Sequence, residues 1–217
     1  SRTSRLVVAH AHENSGQHNT GLDFFRNRGS IDVLNFHYYT RDPGALSNLI
    51  SAPQNSNQIV TCNESFYIED SSPSDISREV MTFLACGGYY GACIANSPTI
   101  NSGSWDGYGQ RLRAAHDIAD KVNFPAMSRQ SSSLVSSDPS GGQRLLLGQS
   151  GSQYLAYFWN MGGFKSQNNV VMSIPSGNYS YAFYDVRNGA TVGSGSVGSN
   201  GSASIPSSAS SLESATR

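Results

Sequence analysis

The chain has 217 residues, enough for one large domain or two small ones with a real core. Its 14 Lys and Arg stand against 15 Asp and Glu, a formal charge of −1, so there is no field to gather nucleic acid or an anionic membrane surface, and nucleic-acid binding is disfavoured. Charged residues make up 13%, against roughly 25% in average soluble domains, and Gly, Ser, Asn and Tyr take the surface role, a balance that points outside the cell.

The first part alternates strand and helix signals. Residues 5–12 read as a strand carrying His10 and His12, and 20–28 as a short helix with Leu22, Phe24 and Phe25. A second strand spans 31–39 and ends in His37, Tyr38 and Tyr39. Asp42-Pro43 opens a helix, because proline suits the first helical position, and Leu46, Leu49 and Ile50 give it an apolar face. The run 58–63 is a third strand, delivering Asn63 and Glu64 to its C-terminal end.

Ser72-Pro73-Ser74-Asp75 combines an N-cap, a first-position proline and an acidic first turn. Ile76, Val80, Phe83 and Leu84 recur on one helical face, and Gly87 supplies the stop. Residues 89–95 form a compact β-run, and 106–122 a last helix with Leu112, Ala115, Ala119 and Val122 inward. Four β/α units in series imply parallel pairing with right-handed crossovers.

Near Ser128 the texture changes. Residues 129–142 are rich in Ser, Gln, Gly and Pro and read as a linker or long loop. Beyond them the period becomes two: 144–147, 153–159, 169–174, 178–186, 190–197 and 202–205 are short strands separated by Gly, Asn and Pro turns, which indicates a small antiparallel sandwich or barrel over 143–206. Its aromatics Tyr154, Phe158, Tyr179, Tyr181 and Phe183 fall at alternating positions and are expected in the core. Residues 207–217 form a Ser-rich tail.

Three cysteines, Cys62, Cys86 and Cys93, sit in apolar runs without the spacing of a zinc site or a disulfide framework; burial is expected, and Cys86–Cys93 pairing stays open. No run approaches the ~18 apolar residues of a membrane span. The chain opens on Ser1-Arg2-Thr3-Ser4 without Met or a signal peptide, the look of a processed or truncated start. Asn178-Tyr179-Ser180 and Asn200-Gly201-Ser202 match the N-glycosylation pattern.

These runs resemble the C-terminal half of a clan A glycoside hydrolase. Gln58-Ile59-Val60-Thr61-Cys62-Asn63-Glu64 resembles the seventh barrel strand, which ends in the nucleophilic glutamate, and Leu34-Asn35-Phe36-His37-Tyr38-Tyr39 the sixth, which ends in a His/Tyr pair. Gly87-Gly88-Tyr89-Tyr90-Gly91-Ala92-Cys93-Ile94-Ala95-Asn96, with Trp105 after it, is similar to the eighth strand and its active-site tryptophan. Residues 143–206 resemble the small sandwich labelled collagen-binding in some barrel glycosidases, most specifically where a Gly-x-Tyr strand, 177–184, runs into Asp185-x-x-x-Gly189. The resemblance implies an α/β plus all-β chain: about strands five to eight of a (β/α)8 TIM barrel over 1–128, then the sandwich. It also implies a retaining mechanism, in which one carboxylate attacks the anomeric carbon and a second, ≈ 5–5.5 Å away, protonates the leaving oxygen.

On this register Glu64 is the nucleophile, and strand four, which carries the acid/base glutamate in that clan, would precede Ser1. Glu13, Glu69 and Asp70 lack the register for the acid, with Glu13 the fallback. Asn63, His37, Tyr39, His10, His12 and Trp105 are the expected sugar contacts; alternate members of each strand must face the core instead. His10 and His12 share a face without further ligands, so no metal or other cofactor is expected. The expected activity is hydrolysis of an extracellular polysaccharide or glycoconjugate, with a complementary N-terminal half-barrel or partner chain completing the site and a homo-oligomer or filament as a further assembly. The other reading is a non-catalytic structural or carbohydrate-binding protein of an extracellular filament or phage surface that keeps the fold.

Overall fold

A computed structural model describes residues 8–11, 31–37, 42–47, 58–64, 72–90, 105–138, 144–159 and 169–206. The chain forms two compact units, Ser1–Tyr108 and Gly109–Arg217. It is a mixed α/β protein in which a parallel sheet is followed by small antiparallel ones, and no closed barrel occurs among the described residues.

In the first unit β1 (Val8–Ala11), β2 (Val33–His37), β3 (Ile59–Glu64) and β4 (Tyr89–Tyr90) pair in chain order, every pair parallel. Apolar alternation sets the faces. Leu34, Val60 and Cys62 are fully buried, and the register joins Leu34 to Val60 and Cys62 to Tyr90, so these four share one face. That face meets α1 (Pro73–Ala85): the Tyr90 ring lies 5.4 Å from Phe83, and its hydroxyl donates to Glu79 Oε2 at 2.9 Å.

Helix α1 begins and ends where its residues dictate. Ser72 Oγ accepts from the Asp75 N–H at 3.2 Å while Asp75 Oδ2 accepts from the Ser72 N–H at 3.0 Å, a reciprocal cap over two donors that the helix leaves open. At the other end Gly87 adopts φ 76°, the left-handed region. The turn lets the Gly88 N–H reach Phe83 O at 2.8 Å and the Gly87 N–H reach Leu84 O at 2.9 Å, the paired bonds of a Schellman stop. Ile76, Val80 and Phe83 are buried as their spacing predicts, and Leu84 is half-buried. Residues 43–47 are helical, with Asp42 Oδ1 accepting from the Ala45 N–H at 2.8 Å and Leu46 buried. The helix expected at 20–28 and the residues Leu49, Ile50 and 91–95 lie outside the described residues.

Helix α2 (Trp105–Ala119) starts one residue earlier and stops three earlier than the apolar pattern suggests. Its buried residues are Ala114, Ala115 and Ile118; Leu112, Ala119 and Val122, expected inward with Ala115, are only half-buried. At Ala114 the helix meets Gly189, at φ 73°, so closely that a Cβ there would stand 3.3 Å from Ala114 Cα.

The second unit is built from β5 (Ser128–Arg129), β6 (Val135–Ser137), β7 (Arg144–Gln149), β8 (Gln153–Phe158), β9 (Val170–Met172), β10 (Gly177–Tyr184), β11 (Thr191–Ser199) and β12 (Ala203–Ile205). They form three antiparallel sheets, ordered β5-β7-β8, β12-β9-β6 and β10-β11. One core joins them: Val135, Leu146, Val170, Met172, Ile174 and Ala203 are buried together, and Tyr154, Phe158, Tyr179 and Phe183 pack against it half-buried. The aromatics thus wall the core rather than fill it, and Tyr181 instead sets its ring edge-on to Phe183 at 5.8 Å.

The stretch 129–142, linker-like in composition, is described over 129–138, where it carries strand β6, the end of β5 and a short 3-10 turn (Ser132–Leu134). Its polar residues bond locally: Ser131 Oγ caps the turn, and buried Asp138 pairs with Arg144, whose Nε donates to Ser132 O at 3.1 Å. Two register pairs set a tyrosine over a glycine, Gly148 with Tyr154 and Gly195 with Tyr181. A Cβ would stand 2.7 Å from Tyr154 Cδ1 in the first and 2.7 Å from the Tyr181 hydroxyl in the second.

The Asp185-to-Gly189 turn is organised by one carboxylate. Buried Asp185 accepts from Arg187 Nε at 2.9 Å on each oxygen, from Arg187 Nη2 at 2.6 Å and from the Arg187 N–H at 2.8 Å, while its carbonyl accepts from the Gly189 N–H at 2.8 Å. Burial alone would raise the Asp185 pKa. The Arg187 hydrogen bonds and the charges of Arg187 and Arg111 outweigh it and hold the carboxyl below its ordinary value. Burial lowers the pKa of Arg111, with Arg187 adding to the effect and Asp185 opposing it.

Two measurements test this account. Ser72→Ala should cost about 1 kcal/mol of stability in urea unfolding, the usual worth of an N-cap. Asp185→Asn should cost about 1.5–3 kcal/mol at neutral pH, the scale of hydrogen bonds to a charged group. Because the folded-state pKa is the lower one, this stability is fully present above the unfolded carboxyl value of about 3.9 and is lost as pH falls through the folded value. The gap between wild type and Asp185→Asn should therefore close on acidification.

Candidate functional site

Parallel pairing brings the C-terminal ends of β1 to β4 to one edge of the sheet, where three of the expected site residues, His37, Asn63 and Glu64, stand. His37 is the last residue of β2 and Glu64 the last of β3. Up to Phe36 and Cys62 the two strands advance together; then the register slips, and His37 stands opposite Glu64 instead of Asn63. Asn63 is the extra residue of a bulge, a device that ends pairing and re-aims a strand, common beside active sites. The slip therefore makes His37 and Glu64 partners in the ladder.

Below this pair runs a polar row. His10 of β1 is in register with Asn35 of β2, Asn35 with Thr61 of β3, and Thr61 with Tyr89 of β4. Thr61 Oγ1 donates to Asn35 Oδ1 at 2.9 Å, which fixes the way the Asn35 amide points. Val33, Asn35, His37 and Thr61 are half-buried, Ile59 is 44% exposed and Tyr89 48%. One face of the sheet is thus packed, and on the opposite one the described side chains are half-buried or exposed.

Of the expected residues, the fold brings together His37, Asn63 and Glu64 at one edge, with His10 in the neighbouring strand one step down the row. Trp105, expected in a loop, is the first residue of α2. His12, Tyr38, Tyr39, Glu13, Glu69, Asp70 and Cys93 lie outside the described residues. Cys62 and Cys86 are buried, as their apolar runs imply. Among the described residues no group of His, Cys, Asp or Glu could hold a metal ion.

Sequence reasoning passed over Asn35 and Thr61. The signal was there: each is a polar residue inside an otherwise apolar strand, at the alternate positions opposite buried Leu34 and Val60. Among the described side chains, the row offers the Asn35 amide, the Thr61 hydroxyl and the exposed Tyr89 phenol below the His37 imidazole. Compared with protein-family models, curated proteins and solved structures, the chain shows no significant match to any.

The Asn35–Thr61 bond gives a direct test. Thr61→Val keeps the shape of the side chain but removes the donor, and should lower the urea-unfolding stability by about 1 kcal/mol.

Proposed function

We propose that this chain carries the nucleophile half of a retaining glycoside hydrolase site, acting on a polysaccharide or glycoconjugate. The observation that supports it best is the register of Glu64 with His37 across the bulge at Asn63, at the C-terminal ends of two adjacent parallel strands. In a parallel β/α barrel those ends carry the chemistry. Four parallel strands paired in chain order are also what a segment of such a barrel has, whereas a doubly wound sheet reverses its order at a switch point.

In this reading Glu64 attacks the anomeric carbon and displaces the glycosidic oxygen, which the acid/base carboxylate protonates as it leaves. Water deprotonated by that same group then cleaves the glycosyl-enzyme and frees Glu64. His37 orients the carboxylate, Asn63, His10 and Tyr39 hold sugar hydroxyls, and Trp105 offers a stacking surface. The acid/base carboxylate comes from the complementary half-barrel. The same half would cover the exposed Ile59 and Tyr89. Extracellular polysaccharide fits the low charge of the chain.

Two measurements decide the matter. With the complementary half present, Glu64→Gln should cut turnover by at least on the order of 10⁴-fold, the scale for losing a covalent nucleophile, while near-UV circular dichroism stays native. Unchanged turnover removes Glu64 from the mechanism, and sugar binding without turnover in the wild type favours the non-catalytic carbohydrate-binding reading. Separately, light scattering should find the isolated 217-residue chain self-associated at micromolar concentration. A soluble monomer with native near-UV dichroism would overturn the half-barrel.

A further inference from the structure

The chain contains two Asn-Gly dipeptides, and the fold treats them in opposite ways. Asn188-Gly189 is locked: the Gly189 N–H donates to Asp185 O at 2.8 Å, Asn188 Oδ1 accepts from the Ala190 N–H at 2.9 Å, and Ala114 closes the space beside Gly189. Asn200-Gly201 links β11 to β12 and is open. Both residues are exposed, Gly201 takes φ 95°, and nothing lies within 4 Å of where its Cβ would be. Its N–H makes only a 3.2 Å bond to Ser199 Oγ, a hydroxyl already donating to Ile174 O at 2.8 Å.

We propose that Asn200-Gly201 is a site of spontaneous deamidation built into the β11–β12 turn, with Asn188-Gly189 its protected counterpart. The step needs solvent alone. The Gly201 amide nitrogen gives its proton to solvent base and attacks Asn200 Cγ; the new N–C bond forms, the Cγ–Nδ2 bond breaks, and the leaving nitrogen takes up a proton and departs as ammonia. Water then opens the cyclic imide at either carbonyl, giving aspartate or isoaspartate. Either product adds a negative charge to a chain of formal charge −1. Isoaspartate also lengthens the backbone by one methylene between Ser199, in register with Gly177 of β10, and Ala203, in register with Met172 of β9. The turn therefore ages faster than the chain's other Asn-Gly, and its conversion changes the connection between β11 and β12, which belong to different sheets.

The test is peptide mapping by mass spectrometry of the full chain held folded in mildly alkaline buffer at physiological temperature, with isoaspartate identified by enzymatic methylation. Asn200 should convert roughly tenfold faster than Asn188, the factor set by breaking one ordinary backbone hydrogen bond. In denaturant the two rates should converge, because the dipeptides are then equivalent. Asn188 keeping pace with Asn200 in the folded chain would overturn the proposal, as would conversion of Asn200 only after denaturation.

Discussion

Parallel pairing is the constraint from which the first unit follows. Strands that run the same way cannot be joined by a tight turn, so after each of β1, β2 and β3 the chain must travel back along the sheet before the next strand begins. The return after β3 contains α1, which packs Phe83 and Glu79 against Tyr90 of β4. Because all strands point one way, all their last residues meet at one edge. His37 and Glu64 are neighbours for this reason, although 27 positions separate them in sequence by the difference of their numbers.

Much of this unit is legible in the sequence because local chemistry and packing agree. Ser72, Pro73 and Asp75 announce the start of α1 and Gly87 its end, and each does so through bonds made within a few residues. Alternation of apolar and polar residues likewise marks the strands. Register is another matter. Whether Asn63 or Glu64 faces His37 depends on one extra residue in one strand, and no local preference of Gln58 to Glu64 encodes that slip. Alternation singles out Asn35 and Thr61 within their own strands, but only the pairing of β2 with β3 sets them side by side.

In the second unit the antiparallel character is legible from the period of two, while the role of residues 129–138 is not. Ser131, Ser133 and Asp138 look like linker residues by composition, yet they satisfy the backbone of a short turn and an ion pair that let Val135 enter the core. Composition reports what a segment can tolerate and says nothing of what long-range partners ask of it. The packed face of α2 is not legible locally either: Ala114 lies against Gly189, 75 positions away by the difference of their numbers.

The two glycine–tyrosine pairs carry a consequence for how this sequence can vary. Glycine weakens a strand because it brings no side chain to pack, and a cross-strand aromatic ring repairs the gap by lying over the bare backbone. At Gly148 and Gly195 the ring occupies the space a Cβ would need, so a larger residue forces the tyrosine to move, and loss of the tyrosine uncovers the strand while the glycine stays. Each pair is a single unit of inheritance: its two members are free to change together and are held in place when they change alone. Among descendants of this chain, drift at 148 and 195 should be tied to drift at 154 and 181, making these four positions a record of pairing that can be read without any coordinates.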